Sequence, residues 1–167
     1  AENCTSGTPD EPVSEGAPNL SVVKTAPAMS ANTAFNYRFA VANAADAAGP
    51  ATVVHIADMP PAGITLNAAP AGSSCTVNGT AANFPVVGNG STVVECAIDL
   101  TPALQPGQDT TVTWNATADV STIGSKPVNH ASYNPDGGSY PPTPGETCAP
   151  AENCTSGTPD EPVSEGA

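Results

Sequence analysis

Between residues 19 and 140 the chain reads as short runs of alternating apolar and polar positions, and nowhere does it sustain a helical period. β-Branched and aromatic residues gather in LSVVKTA (20–26), AFNYRFAVAN (34–43), ATVVHIAD (51–58), ITL (64–66), SCTV (74–77), STVVECAIDL (91–100), DTTVTWNATADV (109–120) and PVNHASYN (127–134). Such residues suit a pleated, half-buried strand. The separators AAGP, PPAG, GNG, QPGQ and NPDGG hold the proline and glycine that tight turns need.

Successive side chains of a strand point to opposite faces, so the alternation also predicts a core. Phe35, Tyr37, Phe39 and Val41 share one face, as do Val94, Cys96, Ile98 and Leu100, and Val112, Trp114, Ala116 and Ala118. Arg38, Glu95, Asp99 and Asp119 then face solvent. The same parity sends three polar residues inward. Lys24 follows Leu20 and Val22, Asp58 follows Val54 and Ile56, and Asn129 precedes Ala131 and Tyr133. A buried, unpaired ammonium is too costly to keep. Lys24 must reach a strand end, pair with Asp58 or lose its charge. Seven or eight short strands with no helix predict an all-β fold, an immunoglobulin-like β-sandwich.

The two ends break the alternation. AENCTSGTPDEPVSEGA opens the chain at residues 1–17 and recurs letter for letter at 151–167. A match of that length marks one period of a tandem array, 150 residues long, followed by the start of the next. Proline and carboxylate dominate residues 1–18 and 141–167, which are expected to form stiff inter-repeat linkers around a domain at 19–140. Strand addition of a linker to the open sheet edge of the next domain is the compact alternative.

Charge narrows the partners. Three basic residues against sixteen acidic ones give a formal charge of −13, which excludes nucleic acid and opposes membrane contact by this segment. Neighbouring repeats of the same chain, or other copies in a fibre, are the expected partners. Only 4% of residues are aromatic, so the core falls to Val, Ile, Leu and Ala. An acidic surface rich in Thr, Ser and Asn suits an extracellular or cell-surface setting.

The cysteines agree with that setting. Cys148 and Cys154 flank the repeat boundary, Cys75 and Cys96 pair inside the domain, and Cys4 is the equivalent of Cys154. The partner of Cys4 would then be the Cys148 equivalent of the preceding repeat. Two pairs and one orphan make a disulfide framework, which requires an oxidising compartment. A metal site would want closely spaced ligands, whereas Cys75 and Cys96 are far apart and His55 and His130 sit in strand-like runs.

The runs LSVVKTAP, FNYRFAVANA, GPATVVHIADMPPAGITL, CTVNG, VVECAIDL, LQPGQDTTVTWNATADV and VNHASYNP together resemble the immunoglobulin-like repeat of giant bacterial and archaeal surface proteins. The resemblance covers about residues 18–135, and K-T, V-A-N, D-M-P-P-A-G and N-H-A are its most specific landmarks. The pattern is also similar to the isopeptide-forming domains of Gram-positive pilins and adhesins. That similarity implies a self-made amide between a lysine of the first strand and an asparagine of the last, with an acidic residue as proton shuttle. Residue by residue, those roles fall on Lys24, Asn129 and Asp58.

Weaker signals remain. Asn78, Asn89 and Asn115 begin N-glycosylation triplets, in a chain rich enough in Asn and Thr to match by accident. Asp136 with Asp10, Glu11 and Glu146 could ligate calcium, but without the spaced oxygen ladder of a known loop. No cofactor is expected otherwise. No nucleophile–base–acid set for an external substrate is present, so the chain is not expected to be an enzyme beyond forming its own amide. The expected function is a structural module of an extracellular stalk, adhesin or filament. A ligand- or glycan-binding module acting through the sandwich-end loops is the alternative, and Tyr140 is its one loop aromatic.

Overall fold

In a computed structural model of the protein, which describes residues 16–144, 148 and 152–166, the chain is an immunoglobulin-like sandwich of two antiparallel sheets. The strands are β1 (Leu20–Thr25), β2 (Ala34–Asn43), β3 (Ala51–Met59), β4 (Ile64–Leu66), β5 (Ser73–Val77), β6 (Thr80–Ala81), β7 (Val86–Val87), β8 (Val94–Leu104), β9 (Asp109–Ala118), β10 (Asn129–Tyr133) and β11 (Cys154–Gly157). One sheet runs β1-β2-β9-β4-β7 and the other β11-β10-β3-β8-β5-β6.

The two long pairs set the frame. β2 and β9 place Tyr37 opposite Trp114 and Phe35 opposite Ala116, while β3 and β8 place Ile56 opposite Cys96 and Val54 opposite Ile98. All eight of these residues lie in the buried core, because register and parity turn every second side chain of each strand inward. Burying that area drives the fold at about 25 cal/mol per Å² of apolar surface. Arg38, Asp99 and Asp119 are exposed.

Two short strands were not legible as runs. β6 is two residues long, and it returns on β5 through Asn78 and Gly79, whose φ of 52° and 77° form the left-handed pair of a hairpin turn. Asn78-Gly79 is thus the hairpin signal, inside the triplet noted above as an N-glycosylation match. β7 adds Val86 and Val87 to the outer side of β4. The run expected to end at residue 120 stops at Ala118 instead. Asp119 takes an extended conformation and accepts from the Ser121 backbone N–H, capping a single 3-10 turn at Val120–Thr122.

The larger departure concerns residues 141–167. An extended linker was expected there, yet Cys154–Gly157 forms β11 on the outer edge of β10, pairing Ser132 with Cys154 and Asn129 with Gly157. Further on, Val163 and Ser164 lie between two segments of the domain. Ala31 and Gly124 donate to the Ser164 and Val163 carbonyls, and Ser164 and Val163 donate to Met29 and Ser125, at 2.8–3.0 Å. Val163 is 2% exposed and belongs to the core. The physical reason is the row of unpaired backbone groups that β10 would otherwise present as an edge. Backbone hydrogen bonds of β11 satisfy that edge and the buried Cys154, Pro159 and Val163 anchor the segment, so it needs no strand-like alternation. The edge it covers belongs to the domain that precedes it in the chain.

Candidate functional site

Four strands bring polar groups to one buried point. Lys24 stands on β1 opposite Phe39, with Asp58 on β3 between Val94 of β8 and Ala131 of β10. Asn129 opens β10 two positions before Ala131, so it shares the inner face of Asp58. Gly157 of β11 lies directly opposite Asn129. A Cβ on Gly157 would stand 3.1 Å from Lys24 Cγ and 3.2 Å from Tyr37 Cδ1, so any larger residue would press these side chains back and glycine suits this close approach of β11. Lys24 also donates its backbone N–H to Thr155 Oγ1 at 2.9 Å.

Lys24, Asp58 and Asn129 are all buried, at 2%, 1% and 0% exposure. Lys24 Nζ donates to Asp58 Oδ2 at 2.5 Å and lies 4.3 Å from the centre of the Tyr37 ring and 5.2 Å from that of Phe39. Of the three outcomes open to Lys24, the structure selects pairing with Asp58. Burial nevertheless holds its ammonium below the usual lysine range, and the adjacent carboxylate opposes that pull without overcoming it. Burial and the Asp58 charge together push the Tyr37 phenol well above its ordinary value.

The remaining polar atoms here have no partner. Asp58 Oδ1, Tyr37 OH and both amide atoms of Asn129 are buried and make no hydrogen bond of ordinary geometry, although Asn129 lies near enough to the Tyr37 phenol to offset part of its rise. Each such orphan costs about 1–3 kcal/mol. A fully buried carboxamide with neither donor nor acceptor satisfied is therefore an expensive feature, and it lies on the inner face that β10 shares with Asp58 of β3. The set holds an amine, a carboxamide and a carboxyl.

Other candidate residues go elsewhere. Cys75 and Cys96 are bonded directly across β5 and β8, and Cys148 is bonded to Cys154 at the start of β11. Cys4 lies outside the described residues, as do Asp10, Glu11 and Glu146. Asp136 accepts from the Gly138 N–H within its own turn, and no group of three or more metal-ligating side chains occurs among the described residues. Asn89 accepts from the Ser91 and Thr92 N–H groups, and Asn115 donates to Asn36 Oδ1 on the outer face of β2. Tyr140 packs edge-on against His55 with ring centres 4.7 Å apart, so it is held to the sheet. A surface groove of about 560 Å³ where β8 meets β9 is lined by Thr101, Pro102, Thr110 and Thr111 and has no aromatic ring. Tyr37 and Gly157 complete the buried site, and neither stood out in the sequence as a site residue.

No family profile matches the chain, and no curated protein matches it. Solved structures are similar at low identity. The chain is similar to the major pilin SpaA of Corynebacterium diphtheriae, a modular pilus protein with stabilising isopeptide bonds, at 18% identity and a TM-score of 0.44. That match covers 80% of this chain and 35% of the pilin, so the chain spans about a third of that protein. It is similar to a non-cellulosomal cohesin of Archaeoglobus fulgidus at 8% identity and a TM-score of 0.42, over 84% of this chain and 89% of the other. The pilus backbone protein RrgB of Streptococcus pneumoniae matches at 14% identity and a TM-score of 0.39, over 70% of this chain and 52% of RrgB.

Proposed function

We propose that the chain is a structural module of an extracellular stalk, adhesin or filament, whose buried Lys24–Asp58–Asn129 set closes an internal amide between its first strand and the strand its final segment covers. The observation that supports this reading is the orphaned Asn129 carboxamide on the inner face it shares with Asp58, the partner of the buried Lys24 amine. In an apolar site Lys24 gives a proton to Asp58 and becomes a neutral nucleophile. Its Nζ attacks Asn129 Cγ, the Cγ–Nδ2 bond breaks, and Asp58 relays to the departing nitrogen both this proton and the second one that Nζ sheds, so the nitrogen leaves as ammonium, which is ammonia with the surplus proton. Proximity in the folded core supplies the effective concentration. The product loses the unsatisfied Nδ2 and leaves one amide N–H at the old Nζ, beside the Asp58 carboxylate.

Such a bond ties β1 to β10, so tension on the two ends cannot peel the sandwich apart. The Cys75–Cys96 disulfide cannot do this, because it joins interior neighbours β5 and β8. Intact mass of the reduced chain tests the reading. The wild type should be lighter than its sequence by one ammonia, and Asp58→Ala should return to full mass and extend further under force. A wild type of full mass leaves a buried ion pair and removes the amide.

A further inference from the structure

The slot that holds residues 154–166 has a second chemically identical occupant. Residues 1–17 repeat residues 151–167 letter for letter, so every group that makes a seating contact recurs. Cys4 matches Cys154, Thr5 matches the Thr155 that accepts from Lys24, and Gly7 matches the Gly157 that lies against Lys24 and Tyr37. Val13 and Ser14 match the Val163 and Ser164 bonded between residues 29–31 and 123–125.

The geometry points to an interface: the β11 slot takes residues 1–17 of a second copy of this chain as its eleventh strand, with Cys4 of that copy bonded to Cys148. This deepens the module reading by naming its partner. If it fails, a stalk built only from covalently linked repeats is left intact.

Reach favours a second copy over the chain's own N-terminus. β11 and β1 run the same way, since Lys24 meets Thr155 and Gly157 and the chain beyond them pairs Ser30 with Ser164 in parallel. Ser164 is seated at Ser30, beyond the far end of β1 from Leu20. For the chain's own copy, six residues from Ser14 to Leu20 reach at most about 20 Å. Five strand steps along β1 already take about 17 Å, leaving almost nothing for the run to Ser30 and the reversal. Residues 1–17 of another molecule have no such tether.

Covalent closure needs no external oxidant. The Cys4 thiolate attacks Cys148 Sγ, the Cys4–Cys148 bond forms as Cys148–Cys154 breaks, and the electron pair leaves on Cys154 Sγ, which takes up a proton. The tethered C-terminal copy holds the slot by its high local concentration, so exchange requires that copy to be weakened or displaced.

The full chain tests this directly. Gly157→Leu places a side chain against Lys24 and Tyr37 and disables the C-terminal copy, while Gly7 stays intact. In a glutathione buffer this variant should form a ladder of disulfide-linked multimers, with Cys4 joined to Cys148 in peptide maps. Adding Gly7→Leu should collapse the ladder to monomer. A folded Gly157→Leu chain that stays monomeric overturns the proposal. So do multimers that persist in the double variant, or that map to Cys154–Cys148 bonds between molecules, which would be exchange of the C-terminal copy itself. Should Gly157→Leu not fold, wild-type chain incubated with a labelled peptide of residues 1–17 gives the answer. Disulfide capture of that peptide at Cys148, lost with the Gly7→Leu peptide, is expected, and no capture of either peptide overturns the interface.

Discussion

Lys24 and Asp58 face each other across the sandwich at 2.5 Å, with side-chain exposures of 0% and 1%. Removing one member should cost far more than removing both. In an Asn129→Ala background, which cannot form the amide and keeps the ion pair, Asp58→Ala leaves a buried ammonium unpaired and should destabilise the fold by roughly 3–5 kcal/mol. Lys24→Met with Asp58→Ala replaces the pair with apolar bulk and should recover most of that loss, read as the urea midpoint. A double variant as unstable as Asp58→Ala alone would show that the pair is not the unit.

The lowered Lys24 value gives a pH test with a definite sign. In an Asn129→Ala chain, which cannot form the amide, folded Lys24 releases its proton below the ordinary 10.5 of the unfolded chain. The unfolded state then binds more protons, so stability rises with pH from the lowered value toward 10.5. Tyr37 acts oppositely, since its raised value removes stability as pH climbs past the 10.0 of the unfolded phenol. The slope belongs below that point and above the histidine range, where the lowered His130 value costs stability only as pH falls. In wild type with Lys24 acylated the slope should vanish. Denaturant titrations across this range would compare the two.

Cys75 and Cys96 are direct cross-strand partners 21 positions apart, so their bond adds little to a register that β5 and β8 already keep. Its effect lies in the unfolded chain, where closing such a loop contributes about 3 kcal/mol. Cys75→Ala with Cys96→Ala should lower the urea midpoint accordingly and leave the fold unchanged. An unchanged midpoint would place the stabilisation elsewhere.

Val163 carries the seating of the final segment. It is 2% exposed among core residues, and Val163→Ala should cost about 2 kcal/mol from lost burial and the void left behind. Hydrogen exchange should show the Ala31 and Gly124 amides, which donate to Ser164 and Val163, losing protection first. Equal loss across β2 and β9 would mean that the segment unfolds only with the whole domain.

What the sequence made legible was whatever period two could reveal. All eight expected strands are present, and parity alone turned Lys24, Asp58 and Asn129 inward, because a strand with one buried face leaves no freedom in register. β11 was illegible for the converse reason. CTSG has no apolar alternation, and its place is set by the open edge of β10 and by Val163 six residues beyond its end. Gly157 was hidden likewise, since a missing Cβ gains meaning only when β1, β2 and β10 converge on it, and Tyr37 was legible as core but not as a neighbour of Lys24. Proline and acid correctly marked the segment as unlike a core strand. They did not show that it would be used as one.

The last prediction follows from the two ends together. Gly166 lies against Ala31 so closely that a Cβ there would stand 2.6 Å from the Ala31 carbonyl oxygen. Its counterpart Gly16 lies against the loop after β2, where a Cβ would stand 2.3 Å from that of Ala48. In the tandem arrangement we propose, a single glycine would fill both positions and touch two modules at once. With Ser164 seated on one module and Leu20 beginning β1 of the next, the equivalent stretch from Ser14 to Leu20 spans at most about 20 Å. A free linker of the length expected from composition would span about 90 Å. Electron micrographs of an array of three or more modules should therefore show closely abutting beads with a narrow spread of angles. Replacing the shared glycine by leucine should open the joint and broaden that spread. Widely varying angles in the unaltered array would mean that the segment leaves its seat once a second module pulls on it.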